Sequence, residues 1–246
     1  MKRNIFHYLF LCAVSLVALT SCLGDVGNKY TLSTLMATVV DATATQVVVQ
    51  IDATGLYYYA DEFQGRDMEV GQRWLIEKMT VNNDEQPAGA IGAMTKPLKM
   101  TEVACTKVDT KYPLSQDDET LANDSVEMFY APYINITKIG DLEKFYITFS
   151  GTVLKKADPE FRLVYTGTLK GNSSTVKDTV CYDFKAAYEK AGEKGEYASY
   201  VQSFHLTPLE SEQVVKINFA GKRYQAAQET TITKSHCFVK APKKLK

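Results

Sequence analysis

Cys22 is the residue whose surroundings specify its chemistry most fully. It closes the run Leu19-Thr20-Ser21-Cys22: an aliphatic residue, two small ones and a thiol, the order of a bacterial lipobox. Small side chains let a peptidase reach the backbone, and the thiol is the nucleophile that diacylglycerol alkylates. Upstream, Lys2 and Arg3 make a positive head, and residues 5–19 form an apolar run with Phe6, Leu9, Phe10, Leu11, Val14, Leu16 and Val17. That layout is a secretory signal, and the run is shorter than the roughly 20 residues of a permanent span. Residues 1–21 are therefore expected to be removed, leaving acyl chains on Cys22. Two or three such chains, at about 0.8 kcal/mol per buried methylene, hold a protein firmly to a membrane. The competing reading is an ordinary signal cleaved nearby, with Cys22 incidental.

Other reactive residue types are sparse. Hydrolase chemistry needs a nucleophile beside a base, usually in a G-x-S-x-G or Cys/His setting, and no such motif occurs. Ser235-His236-Cys237 holds a thiol and an imidazole side by side, but neighbours on a strand point to opposite faces and cannot readily exchange a proton. His205 sits between Phe204 and Leu206 in a strand-like run. No catalytic residue is expected, nor a cofactor. Asp117-Asp118-Glu119 supplies oxygens without the glycine turn of a calcium loop, and no close pairs of Cys or His suggest zinc, so no metal site is expected. The Tyr57-Tyr58-Tyr59 cluster is the candidate for ligand contact. On a strand Tyr57 and Tyr59 share one face and Tyr58 takes the other; an exposed ring stacks on sugar faces, while a buried one packs the core. Trp74, between Arg73 and Leu75, is expected as a core anchor.

Charge narrows the partners. Lys2 and Arg3 leave with the leader, so 26 basic residues face 29 acidic ones and the mature net charge is −3. That balance gives no electrostatic reason to bind nucleic acid. Of the five cysteines, Cys12 leaves and Cys22 is lipidated. Cys105, Cys181 and Cys237 remain, an odd number that excludes full pairing within one chain. A Cys181 to Cys237 disulfide is one reading and three buried thiols the other, favoured because Cys packs as a small apolar residue.

The elements that must position these residues read as strands. After a glycine-bearing leash over residues 22–30, strands are predicted over 31–40, 46–51, 56–59, 73–81 and 97–108 from their alternation, with a turn-rich loop from Asn82 that looks long. Residues 111–124 hold Pro113 and the acidic run and read as a linker. Beyond it, strands are predicted over 133–139, 145–153, 161–169, 179–182, 200–206, 213–219 and 230–239. Asp183 is expected to cap a short helix over 183–194, stopped by Gly192. Residues 241–246 read as a disordered basic tail. The chain is thus expected to be mainly β: a small barrel over 31–110, the linker, and an immunoglobulin-like β-sandwich over 125–240.

This order of lipobox, leash, small β module and larger sandwich resembles the NigD-like lipoproteins of Bacteroidetes. The resemblance is carried by residues 30–81, ending in Val70-Gly71-Gln72-Arg73-Trp74-Leu75-Ile76, and by Tyr200-Val201-Gln202-Ser203-Phe204-His205-Leu206 with Val214-Val215-Lys216-Ile217-Asn218-Phe219. It implies an OB-like first module and an immunoglobulin-like second one, with no catalytic residues to carry over. Asp124-Ser125-Val126 and Asp178-Thr179-Val180 match an acidic-hydroxyl-aliphatic pattern of O-glycosylation in Bacteroidetes, which makes Ser125 and Thr179 candidate acceptors. Cys22 is followed by Leu23-Gly24-Asp25, poorer in acids than many surface-export signals. The resulting expectation is a non-enzymatic outer-membrane lipoprotein that binds a glycan, a peptide or an envelope partner. The alternative is a structural or assembly subunit of a surface complex.

Overall fold

The computed structural model describes residues 28–88, 96–115, 126–128, 132–155, 160–171, 177–187, 196–219, 221–225, 228–232 and 236–242. Cys22, the acidic run at 117–119, Ser125 and Ser235 lie outside them. Among the described residues the regular structure is β-strand with two 3₁₀ turns, at Asp61–Phe63 and Asn83–Glu85, so the mainly-β fold class holds.

The first half forms one curled sheet. β1 (Lys29–Leu32) and β2 (Leu35–Ala42) lie end to end along one edge of β5 (Arg73–Asn82). Residues 31–40 are therefore two strands where one was expected; the break falls at Ser33-Thr34, where Thr34 takes φ +58°. β2 pairs with β3 (Val47–Ile51), and β3 with β4 (Tyr57–Tyr59). β6 (Leu98–Lys99) runs parallel to β4, and past Met100 the chain continues as β7 (Thr101–Val108) on the free edge of β5. One bent strand so touches both ends of the sheet and curls it into a partly open, OB-like barrel.

Its interior is apolar, with Val39, Val49, Ile51, Tyr58, Phe63 and Met100 among the buried residues. On β5 the inward residues are Trp74 and Ile76, then Met79 and Val81. The parity changes because register shifts between Ile76 and Thr80 insert a bulge against β7, and an extra residue moves the buried set to the other parity.

The chain passes to the second half between Val108 and Thr110. β8 (Thr110–Lys111) runs parallel to β14 (Glu196–Leu206). β11 (Leu142–Lys155) pairs on one edge with β14 and on the other with both β9 (Val126–Met128) and β10 (Tyr133–Ile139). β16 (Gly221–Gln225) and β17 (Gln228–Ile232) extend this sheet beyond β9. A second sheet holds β12 (Glu160–Leu169), β13 (Thr179–Ala187), β15 (Val214–Phe219) and β18 (His236–Lys240) in that order.

The two sheets share a core in which Ile147, Phe149 and Phe204 meet Leu163, Phe184 and Ile217. Phe149 and Phe184 stack 4.1 Å apart across it. It is a β-sandwich, with parallel pairings at β8–β14, β9–β16 and β13–β15 that depart from an all-antiparallel immunoglobulin sheet.

Three expectations are corrected. Residues 183–187 continue β13 instead of starting a helix. Phe184 and Ala186 alternate inward, each 1% exposed, and the strand is paired on both sides by β12 and β15, so ladder bonds and aromatic burial outweigh a local cap. Residues 230–239 are not one strand, because β17 ends at Ile232 in one sheet and β18 begins at His236 in the other. The tail is ordered at its start: Ala241 is buried, and its N–H donates to the carbonyl of Gln213 at 2.9 Å.

No disulfide joins Cys181 to Cys237. β15 lies between their strands, which places them two strand spacings, roughly 9.5 Å, apart, beyond the about 7 Å Cα limit of a bridge. Both are buried, and Cys105 is half-buried.

Candidate functional site

The sheet of β10, β11 and β14 is covered on both faces. Its apolar face closes the sandwich; its other face carries Asn135, Thr137, Tyr146, Thr148, Ser203 and His205 at alternating positions. Such a face normally meets water, yet Thr137, Thr148 and Ser203 are buried. The barrel sits on it, and the junction is polar.

Its centre is Arg73, whose side chain is wholly buried. The guanidinium forms a two-pronged ion pair with Asp52: Nη1 donates to Oδ1 at 2.7 Å and Nη2 to Oδ2. Nη1 also reaches Thr38 Oγ1 at 2.5 Å, and Nη2 reaches Thr148 Oγ1 of the sandwich at 3.3 Å. Asp52 receives two further bonds from the sandwich, from Asn135 Nδ2 at 2.8 Å and Tyr133 OH at 3.2 Å. Asn135 donates to Thr137, Thr137 to Thr38, and Thr148 shares a bond with Ser203. The Tyr146 ring lies against the guanidinium, 4.9 Å from Cζ, and its hydroxyl donates to the Gly71 carbonyl at 3.1 Å.

A buried cation is tolerable only when so paired. Burial pulls the Arg73 pKa down, but the Asp52 charge and its hydrogen bonds outweigh that, and the net shift is upward. Burial and the neighbouring Asp52 charge push the Tyr133 hydroxyl above its ordinary range, so it stays a donor.

A cleft opens on each side of this pair. The larger, about 710 Å³, is lined by Thr34, Met36, Asp52, Leu75, Tyr133 and Thr148 among others. The smaller, about 410 Å³, includes Val70, Lys107, Tyr112, Lys144, Tyr146 and His205. Arg73 lies in its wall as well. His205 is flanked by Tyr112 and Tyr146, both edge-on, with centroids 5.0 and 5.4 Å away. Its pKa is lowered, by burial first and by Lys144 second, so the imidazole is neutral at pH 7. Its Nε2 is buried without a hydrogen-bond partner among the described residues. Both clefts fall in the range of small-molecule sites, roughly 300–1,000 Å³.

The sequence candidates sit elsewhere. Tyr58 is 2% exposed inside the barrel, and burial raises its pKa to about 12; it is a core residue and not a ligand platform. Tyr57 and Tyr59 are half-buried on the other face of β4, away from both clefts. Trp74 is in the barrel core as expected. Thr179 is the half-buried first residue of β13. Cys237 points into the sandwich while His236 lies beside Phe238 on the opposite face, as strand alternation requires.

Sequence reasoning missed Asp52, Arg73 and Lys144. The available signal was Arg73 beginning an apolar strand next to Trp74, a place where an unpaired cation is too costly.

No family model matches the chain, and no curated protein matches it. Solved structures do. The chain is similar to an uncharacterized protein from Parabacteroides merdae, at 10% identity and a TM-score of 0.55 over 85% of this chain and 96% of that one. It is similar also to a protein of unknown function from Bacteroides vulgatus, at 13% identity and a TM-score of 0.55 over 88% and 92%. A NigD-like immunity protein from Bacteroides caccae matches at 12% identity and a TM-score of 0.40, over 85% and 90%. The first two likenesses extend the mainly-β fold over most of each chain.

Proposed function

We propose that this chain is a lipid-anchored protein of the cell envelope, placed at the outer membrane through Cys22, that acts by binding a glycan, a peptide or an envelope protein and not by catalysis. The observation that carries the reading is the junction: a buried ion pair locks two β units together and leaves a preformed cleft on either side. Hydroxyls, aromatic rings and cations line those clefts, the groups that fix a ligand's orientation. Kinship with the NigD-like lipoproteins is part of the proposal. It rests on the resemblance of residues 30–81, 200–206 and 214–219 to that family. No cofactor, metal or nucleic acid enters the reading.

Growth with a palmitate analogue should label the wild-type chain, and Cys22→Ala should abolish the label; an unlabelled wild-type chain, or a leader kept on the finished protein, overturns the anchor. A glycan and envelope-protein screen on the mature chain tests the binding role. Failure to retain any ligand at about millimolar concentration sinks it.

A structural or assembly role is the second reading. It is favoured by β18, an edge strand of its sheet that carries Phe238 at 62% exposure, a place where a partner strand can add. Self-association that Phe238→Lys abolishes would support it.

A further inference from the structure

The smaller cleft gathers into one concavity two lysines that no carboxylate among the described residues pairs. Lys29, Lys78, Lys99 and Lys111 each reach a carboxylate within 3.0–3.5 Å. Lys107 and Lys144, which line this cleft from β7 and β11, have no carboxylate partner among the described residues. The other charges there are already matched: Arg73 by Asp52, and Asp109 by Lys111 at 3.5 Å. With His205 neutral, the cleft keeps two uncompensated positive charges in a chain whose mature net charge is negative. Low-dielectric walls focus such a field on an incoming anion.

The same cleft also exposes large apolar groups. Tyr112 is 71% exposed and Val70 47% exposed, and both line this concavity. An aromatic ring left open to solvent beside apolar neighbours suits the C–H face of a pyranose. In the same lining, the His205 ring packs edge-on against Tyr112, and its Nε2 has no hydrogen-bond partner among the described residues. Inorganic phosphate would use the lysines and leave the ring idle; a neutral sugar would use the ring and leave the lysines uncompensated.

We propose that this cleft binds an acidic saccharide, with the carboxylate of a uronic acid between Lys107 and Lys144 and the sugar ring against Tyr112. The inference rests on the binding role proposed above and narrows its ligand to one chemical class and one site.

The test is isothermal titration calorimetry of the intact mature chain with an oligogalacturonide, the matching neutral oligogalactoside and sodium phosphate. The oligogalacturonide should bind saturably, and the neutral sugar at least about tenfold more weakly. Raising salt from about 0.05 to 0.5 M should weaken binding, because partly exposed charges are screened. Lys107→Ala with Lys144→Ala should lose at least about tenfold in affinity without changing the thermal melting curve, and Tyr112→Ala should weaken the sugar but not residual phosphate binding.

Equal affinity for the neutral oligosaccharide overturns the proposal, as does oligogalacturonide binding that ignores the lysine pair. Phosphate binding as tightly as the sugar shows a general anion site, and overturns it too. In each of those cases the broader binding role survives; it falls only if the screen described above retains nothing.

Discussion

At the scale of single residues, the consequential pair is Arg73 with Asp52. The side chains are 0% and 5% exposed, so removing one leaves the other as an uncompensated buried charge. Asp52→Ala should cost about 3–5 kcal/mol in urea unfolding. Adding Arg73→Met should return part of that loss, because the stranded cation goes with it; a double variant no more stable than Asp52→Ala would refute the pairing energetics.

Glu102 makes the opposite case at the surface. Hydrogen bonds from Lys29, Lys78 and Thr80 hold its carboxyl at a pKa of about 2, well below its ordinary value of 4.5. A depressed carboxylate stabilises the fold fully above its unfolded pKa, and that contribution fades as pH falls from there through the folded value. NMR titration should therefore find Glu102 still ionised at about pH 3.5; a midpoint in the normal carboxylate range would refute the cluster.

At the scale of elements, the two breaks in the barrel strands do different work. The Thr34 break lets β1 and β2 share one edge of β5, and the bend at Met100 lets a single stretch of chain close the sheet. The turn into β5 depends on Gly71, at φ +90°, whose carbonyl accepts the Tyr146 bond. A Cβ there would meet only ordinary contacts, with Tyr146 OH at 3.8 Å the nearest, so backbone strain and not crowding sets the penalty. Gly71→Ala should destabilise by about 1 kcal/mol or more, read from the shift in urea midpoint.

Element reading from sequence succeeded where alternation was strong: residues 133–139 match β10 end to end, and Trp74 lies in the core. It failed at 183–187, where the Asp183 cap pattern competed with strand partners that no local window contains; residues 188–194 lie outside the described residues. It also ran 230–239 together, because the choice of sheet is made by pairing far along the chain.

At the scale of the whole molecule, the barrel and sandwich are joined by a face of polar side chains that water would otherwise cover. Hydrogen bonds from Tyr133 and Asn135 to Asp52, and from Arg73 to Thr148, couple the halves directly. The wild-type chain should therefore unfold in one calorimetric transition, and Asp52→Ala should split it into two; a wild type that already unfolds in two steps would show the junction to be energetically idle.

What the sequence determined by itself was local: the strand periodicity and, from it, a mainly-β chain. Each follows from neighbouring residues, whose spacing sets which face a side chain takes. What only the tertiary structure decided is which polar faces stay dry and which cations stay unpaired. Asp52, Arg73, Asn135 and Thr148 are ordinary strand and turn residues until folding stacks one half on the other. The clefts beside them exist because two separately legible units meet across an ion pair whose members are joined by no local pattern.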